Sequence, residues 1–237
     1  MIKTRLFSSI LAAGILLVTA ISSLVSAATT YTVAADGSGD YKTLQAAFNA
    51  VPSNNSTPIT IFVKKGTYKE KDSLVSGKNY VTLIGENRDS TIITYDDHNA
   101  STSDPSQNTY TILISADNFT AQNITFQNTK TAISDYQAVG LRVDGDKAAF
   151  YNCNIAGGQD IYCAWGTGRI YNKNCNIEGT SDFIYGASIA VFDSCTIVCK
   201  KKGACMTAAK TPQNNQYGFV FMNCTIGTDS VGKTSAL

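Results

Sequence analysis

Apolar and polar residues alternate along much of this chain at the two-residue spacing of strands, in runs only a few residues long. Ile59-Thr60-Ile61-Phe62-Val63, Val81-Thr82-Leu83-Ile84 and Thr91-Ile92-Ile93 are each bounded by Gly, Asn, Asp or Lys, as strands closed by turns are. One segment breaks the rhythm. Leu44, Ala47, Phe48 and Val51 share a face at helical spacing after Thr43, and Pro52 stops them. The pattern predicts an all-β chain with one short helix over residues 43–51.

The later strands are copies of one another. Phe150-Tyr151-Asn152-Cys153-Asn154-Ile155 is matched by Tyr171-Asn172-Lys173-Asn174-Cys175-Asn176-Ile177, by Phe192-Asp193-Ser194-Cys195-Thr196-Ile197 and by Phe221-Met222-Asn223-Cys224-Thr225-Ile226. Phe119 to Ile124 is a weaker earlier copy. The cysteines step by 22, 20 and 29 residues, and the isoleucines two places later step identically. Short strands repeating at that period indicate a solenoid. The fold expected is a right-handed parallel β-helix, its strands stacked about 4.8 Å apart, with the helix as its N-terminal cap. Cys153, Cys175, Cys195 and Cys224 then form one file of small buried thiols. Three residues separate aromatic from Cys, so strict alternation requires a one-residue bend, expected at Asn152, Asn174 and Asn223 because Asn tolerates left-handed geometry. Ser194 departs from that pattern.

Composition narrows the classes. The chain has 237 residues, 43% hydrophobic and 16% charged, with a formal charge of +1. That balance excludes a disordered polyelectrolyte and gives no basic footprint for nucleic acid. Lys3 and Arg5, the apolar stretch Ile10 to Val25, and Val25-Ser26-Ala27 read as a signal peptide over residues 1–27, leaving 28–237 as one domain, secreted, off the membrane and monomeric. A single histidine restricts any His-dependent triad to His98, which lies in the polar stretch Asp96-Asp97-His98-Asn99 and reads as a surface loop. No Cys/His spacing suggests zinc, and no cofactor or metal is expected. Cys199 and Cys205, flanking Lys200-Lys201-Lys202, are spaced for a local disulfide. Cys163 reads as structural.

The period also locates candidate chemistry. Asp160 and Asp182 are 22 residues apart, as are Gln137 and Gln159. If each step is one coil, the aspartates stack with backbones about 5 Å apart, and so do the glutamines. Two carboxylates that close cannot both ionise freely, so one stays a proton donor while the other is an anionic nucleophile. Two carboxamides beside them can stabilise an oxyanion. This is an acyl-transfer set needing no Ser, His or metal. Stacked Asp and Gln also decorate solenoid surfaces, so spacing alone leaves a solvated pair open.

Gly66-Thr67-Tyr68-Lys69-Glu70, Gln137-Ala138-Val139-Gly140-Leu141-Arg142, Gly158-Gln159-Asp160 and Gly179-Thr180-Ser181-Asp182-Phe183-Ile184-Tyr185-Gly186 resemble four signature segments of the pectin methylesterases, in the same order. Val33 to Tyr41 is similar to that family's N-terminal edge. The resemblance implies a right-handed parallel β-helix that hydrolyses methyl esters of galacturonate in pectin, releasing methanol. It implies Asp182 as nucleophile, Asp160 as the acid that protonates methanol and then activates water, and Gln137 and Gln159 as oxyanion donors. Tyr162, Trp165, Phe183 and Tyr185 are the aromatic residues expected to bind the substrate, methyl-esterified homogalacturonan.

The chain departs from the family in places. Ile161-Tyr162-Cys163 stands where Thr-Leu-Tyr is usual, and Gly158 where Tyr often stands. The family's later Leu-Gly-Arg-Pro-Trp segment, whose Arg holds the nucleophilic Asp, is not found before Leu237. That predicts a chain without its last coils that is weakly active or inactive by itself. A backbone-cleaving lyase or polygalacturonase, and a non-catalytic polysaccharide-binding solenoid, are the competing readings.

Overall fold

The structure, a computed structural model, describes residues 29–99, 108–130 and 136–228. The signal-peptide segment lies outside them. Every paired strand is parallel, and successive strands pass from one sheet to the next round a coil. The eight-stranded sheet runs from Thr29–Val33 through Ile59–Val63, Val81–Gly85, Thr120–Gln122, Ala148–Tyr151, Arg169–Lys173 and Ile189–Asp193 to Phe219–Met222. A seven-stranded sheet runs from Gly66–Lys69 to Thr225–Thr228, and a six-stranded one from Asp72–Leu74 to Thr207–Ala209. Three sheets around one shared core are a parallel β-helix. Among the described residues, no helix is long and apolar enough to cross a membrane.

The register follows the repeat. Asn154, Asn176, Thr196 and Thr225 are partners in turn, as are Ile155, Ile177, Ile197 and Ile226. Cys153, Cys175 and Cys195 are buried beside them, with Cys224 half-buried at the end of the file. Ile124 takes the cysteine's place in the earlier coil, since the following Thr125 pairs with Asn154. Asn152, Asn174 and Asn223 all have left-handed backbones, with φ of 50°, 54° and 54°. Ser194 makes the same bend at φ 55°, so it departs in residue type but not in geometry. The bend turns each coil from the eight-stranded into the seven-stranded sheet.

The helix spans Leu44–Ala50 and buries Leu44, Ala47 and Phe48 over the first coil. The Thr43 hydroxyl accepts from the Ala46 N–H at 3.2 Å, a side-chain N-cap. Two further N–H groups of the first turn, on Leu44 and Gln45, donate to the two oxygens of Glu70 at 3.1 and 3.3 Å. A carboxylate there also faces the positive end of the helix. Gln45 exchanges two hydrogen bonds with the Ser73 backbone, which fastens the cap to the six-stranded sheet.

The expected disulfide does not form. Cys199 and Cys205 are both free thiols, one buried and one exposed, and Cys199 Sγ lies against the Thr180 and Lys201 carbonyls at 3.3 and 3.2 Å. The lysine run is partly tied down, Lys200 being ion-paired with Glu178 one coil away.

Candidate active site

The six-stranded sheet positions the candidate residues. Tyr162–Ala164 pairs with Ile184–Gly186, Tyr162 opposite Ile184, so Asp160 and Asp182, each two residues earlier, fall in register. The Asp160 N–H donates to the Ser181 carbonyl at 3.2 Å, and the Asp182 N–H to the Cys205 carbonyl at 2.8 Å. Gln137 and Gln159 are bridged in parallel, with Ala138 N–H donating to the Gln159 carbonyl at 3.1 Å. The four residues therefore stand on neighbouring coils at the entrance to one sheet, as the 22-residue step predicts.

Both aspartates are held in left-handed conformations, φ 64° at Asp160 and 47° at Asp182. Non-glycine residues rarely adopt that region, and the strain is sustained where the surroundings over-determine it. At Gly179 the surroundings can be named: a Cβ there would lie 2.3 Å from that of Phe183 and 2.8 Å from the Gly158 carbonyl. Only a glycine lets the Asp182 turn pack so closely on the coil below.

The electrostatics separate the pair. Asp160 is 8% exposed. Burial first, and then the Asp182 carboxylate, push it up to about 7, while hydrogen bonds with the Gln137 and Gln159 side chains pull it partly back. Near neutral pH Asp160 thus exchanges a proton readily. Asp182 is only partly buried. A proton donor beside a more open carboxylate, with two amides at hand, can carry out acyl transfer without a metal. Among the described residues, no cluster of His, Cys, Asp or Glu is suited to a metal ion.

The aromatic expectations divide. Trp165 is 37% exposed, and Tyr185 is partly exposed on the outer face of its strand. Tyr162 and Phe183 are fully buried and do not face a substrate. The repeat explains Tyr162. Asn172 is in register with Phe150 and Phe192, where the aromatic file would continue, and it cannot fill that space. Tyr162 fills it from the adjoining sheet, its ring edge-on to Phe150 and Phe192 at 6.2 and 6.1 Å. Its hydroxyl donates to Asn172 Oδ1 at 2.9 Å, and Asn172 Nδ2 donates to the Val191 carbonyl at 3.2 Å. Removing the ring by Tyr162→Ala is expected to cost about 4 kcal/mol, and Tyr162→Phe, which strands a buried acceptor, about 1–2 kcal/mol. Chemical denaturation measures both.

Arg142 is a neighbour of the site to which the sequence reading gave no role. Arg142, Cys163 and Tyr185 are in register at the middle of successive strands and form the floor beyond the aspartates. Arg142 donates to both oxygens of Asp144 at 2.8 and 2.9 Å, and its guanidinium lies 5.7 Å from the centre of the Trp165 ring. Cys163 is buried, which pushes its thiol up to about 12, and it is hydrogen-bonded with Tyr185. It is an inert structural thiol, as expected. His98 lies in a loop at the surface, as read, and packs edge-on against Tyr136 at 4.5 Å, while the next N–H, of Asn99, donates to the Gln137 carbonyl at 3.0 Å. Only coil register beyond the repeat could have revealed that neighbour.

Comparison with known proteins gives the family and the fold. The pectinesterase family model matches residues 30–236. The chain belongs to the pectinesterase family. It is 41% identical over 206 residues to a pectinesterase of Petunia integrifolia, covering 84% of this chain and 54% of that protein. Carrot pectin methylesterase superposes with a TM-score of 0.79 at 37% identity, over 85% of this chain and 64% of that one. A pectin methylesterase solved in complex with a hexasaccharide superposes with a TM-score of 0.77 at 30% identity, over 86% and 68%. The chain thus spans about half the length of the Petunia relative, and it shares the right-handed parallel β-helix of these enzymes.

Proposed function

We propose that this pectinesterase-family chain hydrolyses methyl esters of galacturonate units in pectin and is secreted to act on that polymer. The observation that carries the reading is the in-register Asp160/Asp182 pair, with Asp160 poised near 7 and two carboxamides beside it. The family membership and the hexasaccharide complex of a structural neighbour support a polysaccharide substrate.

The proposed steps use these four residues. A carboxylate oxygen of Asp182 attacks the ester carbonyl, and the Gln137 and Gln159 amides turn from Asp160 to the developing oxyanion. The C–O bond to the methoxy group breaks as Asp160 gives that oxygen its proton, so methanol leaves and an acyl-enzyme remains. Asp160, now a carboxylate, takes a proton from water. The hydroxide adds to the acyl carbon, and Asp182 departs as a carboxylate. The net change is ester plus water to galacturonate, methanol and one proton. Trp165, which is exposed, and Tyr185, which is partly so, are rings available to the sugar. The protein acts as a monomer without a cofactor.

Incubating the chain with highly methylated pectin should release methanol without new reducing or unsaturated ends. New chain ends without methanol would favour a backbone-cleaving enzyme, and neither product would favour a binding solenoid. The first step needs protonated Asp160, so kcat/KM is expected to fall as pH rises above about 7.

A further inference from the structure

Gln137 is exposed and precedes the strand Leu141–Val143, so burial of its side chain does not set where the carboxamide points. Its backbone must do so, and that backbone is clamped by two buried side chains outside the site. Asn128, 2% exposed, closes the strand Thr125–Asn128 of the seven-stranded sheet. Its Nδ2 lies 3.1 Å from the Val139 carbonyl, 3.0 Å from that of Asp97 and 3.3 Å from that of Thr109, while its Oδ1 accepts from the Lys130 N–H at 2.9 Å. Thr109 is equally buried, and its hydroxyl accepts from the Val139 N–H at 3.2 Å. Side chains therefore hold Val139 at both its N–H and its carbonyl. Through Asp97 the clamp also reaches Asn99, whose N–H donates to the Gln137 carbonyl. Aspartate in place of Asn128 would set a carboxylate against three carbonyl oxygens, and an apolar side chain would leave buried acceptors unpaired.

We propose that Asn128, seconded by Thr109, is a positioning residue of the esterase, fixing the Gln137–Val139 backbone so that the Gln137 carboxamide reaches Asp160 and, in turnover, the oxyanion. The inference rests on the esterase reading above. Both residues act through the backbone and not on the ester. An oxyanion donor is effective only within about 2.7–3.1 Å of the oxygen it stabilises, and a displacement of about 1 Å is enough to lose it. A clamp that merely stabilised the coil would lower stability when removed and leave the chemistry of the folded molecules intact.

Two readouts separate positioning from stability, and the first needs no turnover. The Asp160 carboxyl, faced by Asp182, Gln137 and Gln159 and by Cys163 and Tyr185, is titrated by carbon NMR in the folded chain. The Gln137 hydrogen bond holds its midpoint down. Asn128→Leu should therefore raise the midpoint as Gln137→Ala does, and the double variant should move it no further. The second readout is methanol release. Asn128→Leu should lower kcat by about 10-fold or more with KM unchanged, again without adding to the effect of Gln137→Ala. Asn55 is the control, since it too is buried and its Nδ2 donates to two carbonyls, of Thr57 and Asn79, in the first coils. Asn55→Leu should destabilise the chain and move neither readout. If Asn128→Leu does not fold, Thr109→Val, which exchanges a hydroxyl for a methyl, undergoes the same comparison. A parental Asp160 midpoint, a kcat that does not fall in an active chain, or effects that add to those of Gln137→Ala would overturn the proposal. A parent that releases no methanol, with the Asp160 midpoint shifting as expected, would leave the clamp standing and remove the esterase reading instead.

Discussion

Asp182→Asn is expected to lower methanol release by about 10³-fold or more, and Asp160→Asn by about 10²–10⁴-fold, with the fold intact in both. Asparagine is the informative replacement because both positions have positive φ, which Asn tolerates nearly as well as Asp. A loss of activity then reports chemistry rather than a broken turn. The two variants should differ in stability. Burial raises the Asp160 carboxyl from 3.8 to about 7, so the folded state holds a proton that the unfolded chain releases, and stability falls as pH rises from about 4 to 7. The neutral amide removes that loss, with a gain bounded at about 4 kcal/mol. Asp160→Asn should therefore be nearly inactive yet melt higher than its parent at neutral pH. Methanol assays and thermal melts on the same preparations test both statements. If both variants keep parental esterase rates, the mechanism is wrong.

The 22-residue step made both the coil and the aspartate pair legible, because in a parallel solenoid sequence period and spatial register are the same quantity. The helix was legible for a local reason: Thr43, three apolar positions on one face and Pro52 are all in the segment itself. The side chains that turn inward were not. Tyr162 is two residues from Asp160, and proximity suggested substrate contact, but the vacancy at Asn172 on a different sheet draws it into the core. Phe183 follows the left-handed turn at Asp182 and is buried next to the equally buried Ile184, where strict alternation would have put it outside. His98 meets Tyr136 through a ring contact between segments more than thirty residues apart, which no repeat announces. Sequence period fixes which coil a residue is on, whereas the direction of a side chain depends on what the adjoining coils leave unfilled.

Asp72→Asn is expected to stabilise the chain, increasingly so as pH rises. Asp72 lies wholly within the first coil, and neither of its oxygens makes a hydrogen bond of normal geometry to a donor. Burial, and then the Glu70 carboxylate, push it up to about 9, with only a small opposing pull from the Gln45 N–H. Glu70 is committed as an acceptor by the Leu44 and Gln45 N–H groups of the helix cap, so Asp72 must carry the proton between them. The unfolded group ionises near 4 and the folded group near 9. Throughout that window the folded state binds the extra proton, and stability declines with rising pH by about 1.4 kcal/mol per unit. At pH 7 the accumulated loss is about 4 kcal/mol, equivalent to a melting shift on the order of 10 °C for a domain of this size. Asparagine keeps the shape, needs no proton, and can donate its amide to Glu70. Its advantage in calorimetric melts should be small near pH 4 and grow steadily to pH 9. A constant advantage, or none at pH 8, would show that Asp72 is not the protonated member of the pair. Because Glu70 holds the first turn of the helix, ionising Asp72 also loosens the N-terminal cap before the later coils, and the protection of the Leu44 and Gln45 amides relative to their intrinsic exchange rates should fall above pH 8 in the parent but not in Asp72→Asn.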